Sequence, residues 1–352
     1  MTKLTSVLIG CGAIAREHLS ALAQLKDVDV AAVCDLSPAR AEATAERFGV
    51  PKWYSGYGQM LGQIKPDLVH ITTPPSAHFA IARHCLAKGL NVLCEKPVTI
   101  EYKDFVTLKG LANENRCMLL ENQNLRFHSS IQRIQALIAA GTFGDVLEVQ
   151  IFLFLQLVGP GSIYADKNAP HFGLSLQGGA IGDFLPHMAY LAHMFTGPVA
   201  DLRTVWQKHT SNSPLPADEF RGLIKGERAT AIVDFSGNAQ PTGFWLRVIG
   251  SRMYAETNLF EPPRLTFRRF RKGEPSLASL VDGIIEGSSV LTGTVAGFWR
   301  KLAGTGSYDG LPELIARVYR SLERREAQPI PLDEIDATAR LVDSFTKPEL
   351  KL

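Results

Sequence analysis

The stretch Leu4-Thr5-Ser6-Val7-Leu8-Ile9-Gly10-Cys11-Gly12-Ala13-Ile14-Ala15 decides the fold of this 352-residue chain. A short, largely apolar strand runs straight into a G-x-G-x-x-A turn that opens a helix. The first glycine, Gly10, permits a tight turn, and Gly12 lets backbone approach a pyrophosphate. Ala15 keeps helix and strand close. N–H groups at the start of that helix, around Ala13 and Ile14, remain available to phosphate oxygens. Twenty residues beyond Ala15, at the end of the next strand, stands Asp35, where a carboxylate accepts hydrogen bonds from ribose hydroxyls. It also repels the 2′-phosphate of NADP, so NAD is the expected cofactor. Ser37 and Arg40 lie near enough to leave NADP possible.

Working outward, short apolar runs alternate with helical ones to about residue 121, the pattern of βαβ units and a parallel sheet. The expected strands are Leu4–Ile9, Val28–Cys34, Leu68–Thr72, Asn91–Cys94 and Cys117–Leu120. Between them, amphipathic stretches such as Pro38–Phe48 and Ala77–Lys88 stop at Gly49 and Gly89. Beyond Asn122 the texture changes. A helix near Ser130–Ala140 and a long strand-like run, Val146–Val158, lead to a loop bearing glycine and proline. The later runs Phe220–Lys225, Ala229–Phe235, Gly243–Ile249, Met253–Thr257 and Leu265–Phe270 read as a mostly antiparallel sheet. Helical stretches Leu277–Leu302, Leu311–Arg325 and Leu332–Phe345 close the chain. The expected fold class is therefore α/β: a doubly wound Rossmann domain over 1–121, then an α+β domain over 122–352 with a large, mostly antiparallel sheet. The last helix is free to pack back on the first domain.

Composition bounds the function. Hydrophobic residues at 45% and charged residues at 20% describe a globular chain with ample material for burial. Its 37 basic and 35 acidic residues are mixed, so no footprint for nucleic acid is present. The basic run Arg264–Lys272 alternates with Leu265, Phe267 and Phe270, as a strand with a solvated face does. Five cysteines without a C-x-x-C pair read as reduced thiols rather than a disulfide framework or zinc site. Neither a signal peptide nor a transmembrane segment is recognisable, and a cytoplasmic location is expected.

Lys96 follows a strand's C-terminal end, where ligands collect in an open α/β sheet and where a lysine can exchange a proton with a hydroxyl. Asp183 and His187 are four residues apart, and the apolar spacing of Phe184, Met188, Leu191 and Phe195 suggests one helix carrying both. Pro186 is tolerable there only in a first turn. Histidine suits reversible proton transfer because its ordinary pKa lies near neutrality. A metal is not expected, although His171 is nearby; His171 and Tyr164 are better read as substrate contacts.

Together the motifs resemble the Gfo/Idh/MocA oxidoreductases, which include glucose-fructose oxidoreductase and inositol dehydrogenase. The marks are the glycine turn, Thr72-Thr73-Pro74-Pro75 with His78, Glu95-Lys96-Pro97, and Gly178-Gly179-Ala180-Ile181-Gly182-Asp183 with His187. The resemblance implies that Thr72, Thr73, Pro74 and His78 line the nicotinamide half of the cofactor site, with Glu95, Lys96 and Pro97 at its floor. It implies that the segment Asn122–Phe127, through Gln123 and Arg126, touches both ligands. The reaction it implies is hydride transfer between NAD and a carbinol carbon of a sugar, cyclitol or nucleotide-linked sugar, in a homo-oligomer. NAD-assisted glycoside hydrolysis and a non-catalytic dinucleotide sensor are the alternatives.

The chain departs from the family pattern in two places. The loop Gly159–Gln177 lacks the tryptophan that many relatives carry, which leaves the substrate open. The segment Leu277–Leu302 is unusually long and apolar and reads as core cover or a subunit contact.

Overall fold

The computed structural model describes residues 3–157, 162, 164, 171–211, 215–261, 263–269 and 308–346. They form two compact units: Met1–Asn124 with Gly310–Asp343, and Leu125–Asp309 with Ser344–Leu352.

In the first unit β1 (Leu4–Ile9), β2 (Val28–Cys34), β3 (Trp53–Tyr54), β4 (Leu68–Ile71), β5 (Asn91–Cys94) and β6 (Leu119–Glu121) pair in the order β3-β2-β1-β4-β5-β6. Every pairing is parallel. Helices α1 (Ala13–Leu22), α2 (Pro38–Phe48), α3 (Tyr57–Gln63), α4 (Pro75–Ala87) and α5 (Tyr102–Asn115) make the crossovers. With helices on both faces, β4 is buried at all four residues, as a covered parallel sheet requires. Local chemistry sets the helix ends: Ser37 caps the Arg40 N–H, Pro38 begins α2, and Gly49 at φ +64° stops it. The strand order turns back on itself between β1 and β4, which makes a crevice at their C-terminal ends.

In the second unit α6 (Ser129–Ala139) precedes β7 (Val146–Phe154), a 3-10 turn (Gly179–Asp183) and α7 (Leu185–Thr196). Six more strands follow: β8 (Val199–Gln207), β9 (Glu219–Gly226), β10 (Thr230–Ser236), β11 (Gly243–Gly250), β12 (Met253–Asn258) and β13 (Thr266–Arg269). Their order is β13-β12-β11-β7-β10-β9-β8, antiparallel except for β7 beside β10. Alternate residues Val149, Ile151, Leu153, Ala231, Val233 and Phe235 are buried on the face that α7 covers. The opposite face carries Val205 and Leu223, each 53% exposed, with half-buried Phe152, Phe154, Ile232 and Trp245.

The chain then returns to the first unit. Helix α8 (Leu311–Arg324) packs on α1 through a buried face of Leu311, Leu314, Ile315, Val318 and Tyr319, and α9 (Leu332–Thr346) follows.

By contact the first unit runs to Asn124 and takes in Gly310–Asp343, where the sequence reading set the boundary at 121 and left the last helix free to pack back on the first domain. The two-residue β3 and the largely exposed β8 had no apolar alternation to announce them. Phe267 on edge strand β13 is 47% exposed, so the expected apolar face is not a covered one. The segment Leu277–Leu302 lies outside the described residues.

Candidate active site

At the end of β1 the chain turns through Gly10 at φ +100°. A Cβ there would lie 2.6 Å from the Thr73 nitrogen and 2.7 Å from the Thr72 carbonyl carbon, so only glycine lets the two strand ends approach. Thr72 closes the contact by donating its hydroxyl to the Gly10 carbonyl at 2.6 Å. Gly12 differs: a Cβ there meets nothing within 4 Å, and the space beside the turn is open. Helix α1 begins at this point with no side-chain cap and no acidic residue in its first turn, so its own first turn leaves the N-terminal dipole for a ligand anion. An open cradle at a bare helix N-terminus fits a dinucleotide pyrophosphate.

Asp35, at the end of β2, accepts the Cys11 N–H at 2.8 Å and the Ser37 N–H at 2.9 Å, and Arg40 stands 3.7 Å from it. A cavity of about 410 Å³ opens beside it, lined by Gly12, Ala13, Arg16, Arg40, Thr44 and Arg47 among others. Its arginines give planar surfaces for an adenine ring.

Other residues expected at the nicotinamide end are tied to their neighbours within the unit. His78 is fully buried, with Nδ1 2.8 Å from the Pro97 carbonyl and Nε2 2.7 Å from that of Thr73. Burial above all holds its pKa below the ordinary value, although both carbonyls pull the other way. The Lys96–Pro97 peptide is cis. Glu95, also buried, accepts from Asn122 Nδ2 and lies 2.9 Å from His18 Nε2. Burial pushes its pKa up, but His18, Asn122 and the Lys96 charge more than offset this and leave it below the ordinary range. Glu121 is raised by burial, against the Gln123 amide at 2.8 Å, the Val98 N–H and Lys96. Gln123 also reaches Thr338 with the same nitrogen, so its amide is committed inside the unit. Lys96 is half-buried, and its charge acts on two buried carboxylates. Thr73 is half-buried and Pro74 exposed.

In the second unit Asp183 ends the 3-10 turn and α7 begins only at Leu185, with Pro186 in its first turn. The sequence reading of one helix carrying both residues is therefore corrected: Pro186 has no N–H to give to a carbonyl one turn back, so it falls in the first turn of α7 and Asp183 lies outside that helix. Asp183 is buried and receives the Tyr164 hydroxyl at 3.2 Å. Tyr164 stacks edge-on against His171 with ring centroids 4.8 Å apart, so these three expected residues do cluster. His187 is half-buried, and its Nδ1 lies 2.8 Å from the hydroxyl of Tyr190. That hydroxyl also accepts the Leu125 N–H at 3.3 Å. Arg126, half-buried in the turn Asn124–Phe127, gives its carbonyl to Gln132. Tyr190 escaped the sequence reading because its spacing from His187 fits an ordinary core position.

Parallel order with a bare-glycine turn at the switch point, and an acid at the end of β2, defines a nicotinamide-dinucleotide-binding protein with a second, sheet-based unit. Residues 4–123 match the oxidoreductase family with NAD-binding Rossmann fold, and residues 131–256 match the Gfo/Idh/MocA C-terminal domain. The chain belongs to the Gfo/Idh/MocA oxidoreductase family. It is 27% identical to D-apiose dehydrogenase of Rhizobium rhizogenes over 145 residues, 41% of this chain and 42% of that enzyme. Rhizopine catabolism protein MocA of Rhizobium meliloti is 26% identical over 277 residues, 75% of this chain and 81% of its own length. In fold the chain matches the WlbA dehydrogenase of Bordetella pertussis, solved with NADH and UDP-GlcNAcA, at a TM-score of 0.78 and 18% identity, covering 99% of this chain and 95% of that one.

Proposed function

We propose that this protein is an NAD-dependent dehydrogenase that moves hydride between nicotinamide and a secondary alcohol or carbonyl of a small polyhydroxy substrate: a sugar, cyclitol or nucleotide-linked sugar. The carrying observation is the pairing of the open Gly12 cradle and Asp35 with a half-buried lysine, Lys96, among buried carboxylates. A sugar dehydrogenase and a complex with a nucleotide sugar among the relatives support the substrate class. Bound at the glycine turn, NAD supplies the hydride acceptor. Lys96 hydrogen-bonds the substrate oxygen through its ammonium and stabilises charge on it. His187 takes up the hydroxyl proton while Tyr190 orients its ring, and Asp183 holds an adjacent hydroxyl with Tyr164. Arg126 and His171 complete the substrate contacts, and the roles of Lys96 and His187 in moving the proton are interchangeable on this reading.

Five free thiols, four of them buried, support a cytoplasmic setting. Among the described residues no helix is long and apolar enough to cross a membrane. The exposed apolar positions on the open face of the large sheet support assembly as a homo-oligomer through that face.

The test is a panel of sugars, cyclitols and nucleotide sugars incubated with NAD and read by NADH absorbance. Stoichiometric NADH on one class is the expected result. Glycoside cleavage without net NADH, or dinucleotide binding without turnover on any member, would overturn the proposal.

A further inference from the structure

A buried chain of hydrogen bonds in the first unit is left over by this mechanism. His18 of α1 places Nε2 2.9 Å from Glu95 and Nδ1 2.9 Å from Nδ1 of His70 on β4. His70 Nε2 in turn lies 3.0 Å from the hydroxyl of Tyr319 on α8, and the two rings stack at 5.9 Å. His18 and His70 are wholly buried, and Tyr319 and Glu95 are 4% and 7% exposed.

Proton counting gives this chain one direction. A carboxylate only accepts, so His18 must carry its proton on Nε2. In the assignment we adopt, that is the one ring proton of His18, its Nδ1 accepts, and the proton between the two histidines belongs to His70. Burial, followed by the nearness of His18, holds His70 well below its ordinary pKa, which keeps it neutral. With its one proton on Nδ1, His70 offers a bare Nε2, and the Tyr319 hydroxyl donates to it. Burial raises the phenol above its ordinary value, so Tyr319 keeps that proton. Every link is then satisfied, with the bonds running from Tyr319 through His70 and His18 to Glu95.

We propose that Tyr319, His70 and His18 are positioning residues: a one-way relay, anchored on the C-terminal helix α8, fixes the Glu95 carboxylate and through it the loop that presents Lys96. The consequence for turnover rests on the dehydrogenase reading; the relay itself does not.

Ring-nitrogen NMR of histidine-labelled full-length protein separates the two. The expected result at neutral pH is His18 as the Nε2–H tautomer and His70 as the Nδ1–H tautomer. An imidazolium at either residue, or the same tautomer at both, would overturn the relay whatever the enzyme's substrate. Tyr319→Phe keeps the stacked ring and removes only the donor. It should release His70 into a mixture of tautomers and lower kcat about three- to tenfold, the range of one hydrogen bond's typical net strength. NAD affinity, read by NADH fluorescence, should stay within about twofold, well below the effect of one such bond. His70→Gln, which can still accept from Tyr319 and donate to His18, should retain parental kcat, and His70→Leu should not. Unchanged tautomers in Tyr319→Phe, or equal kcat in Gln and Leu variants that both fold, would show that the residues serve packing alone.

Discussion

Lys96 and His187 are the residues on which the proposed chemistry stands. General acid and base groups typically contribute about a hundred- to ten-thousand-fold to rate. Lys96→Met and His187→Ala should therefore each lower turnover by at least about a hundredfold. Calorimetry should find NAD binding little changed in both; near-parental turnover on the true substrate would dismiss the assignment. Asp35 decides cofactor choice in the same local way. Its carboxylate is fixed by two backbone N–H groups, and Asp35→Ala should weaken NAD and favour NADP relative to it. Tighter binding of NADP than NAD by the parent protein would reverse that reading. At this scale the motifs were legible because each needs a particular residue type at a particular place. What they concealed was the partner of each side chain. His78, Glu95 and Gln123 were read as ligand contacts, and the structure adds what each holds within the unit: His78 the Thr73 and Pro97 carbonyls, Glu95 His18 and Asn122, Gln123 Glu121.

Among the elements, the turn from β1 to α1 separates two glycines that look alike in sequence. Gly10→Ala forces a side chain into a positive φ and against the Thr72–Thr73 backbone, and should cost about 2–5 kcal/mol of stability. Gly12→Ala has room for its methyl and should leave the denaturation midpoint unchanged while sharply weakening NAD binding. A stable Gly10→Ala, or a Gly12→Ala that binds NAD normally, would contradict the roles given to them. Most strands and helices could be read from the periodicity of burial, and Pro38–Phe48 was legible to the residue because a Ser-Pro start and a glycine stop bracket it. Strand β8 was not, since five of its first seven residues are exposed and carry no alternation. The Asp183–His187 segment misled because i, i+4 spacing implies one helix only where every residue between can join the hydrogen-bond ladder, and Pro186 has no N–H with which to do so.

Over the whole molecule, buried histidines tie stability to pH. His70 and His78 both have folded pKa values lowered by burial from an unfolded value near 6.5. Between the folded value and 6.5 the unfolded chain binds more protons, so their contribution is complete above pH 6.5 and is lost as pH falls through it. Each histidine sets a limiting slope of roughly 1.4 kcal/mol per pH unit. Denaturant titrations on either side of that value should show the drop, shallower in His70→Gln; a flat profile would refute it. The proposed self-association belongs to this scale too. Val205→Glu combined with Leu223→Lys on the open sheet face should shift sedimentation toward monomer without loss of NAD binding.

The return of the chain at Gly310 has a temporal side. Every strand of the six-stranded sheet has been synthesised once Glu121 is made, but the helix that packs on α1 and supplies Tyr319 to His70 is made only after Leu125–Asp309 of the second unit. Domains tend to fold as units while translation proceeds. Here the part that binds dinucleotide begins first and is completed only after Leu125–Asp309 of the second unit, so a nascent or prematurely terminated chain presents a Rossmann sheet whose His70 still waits for its phenol.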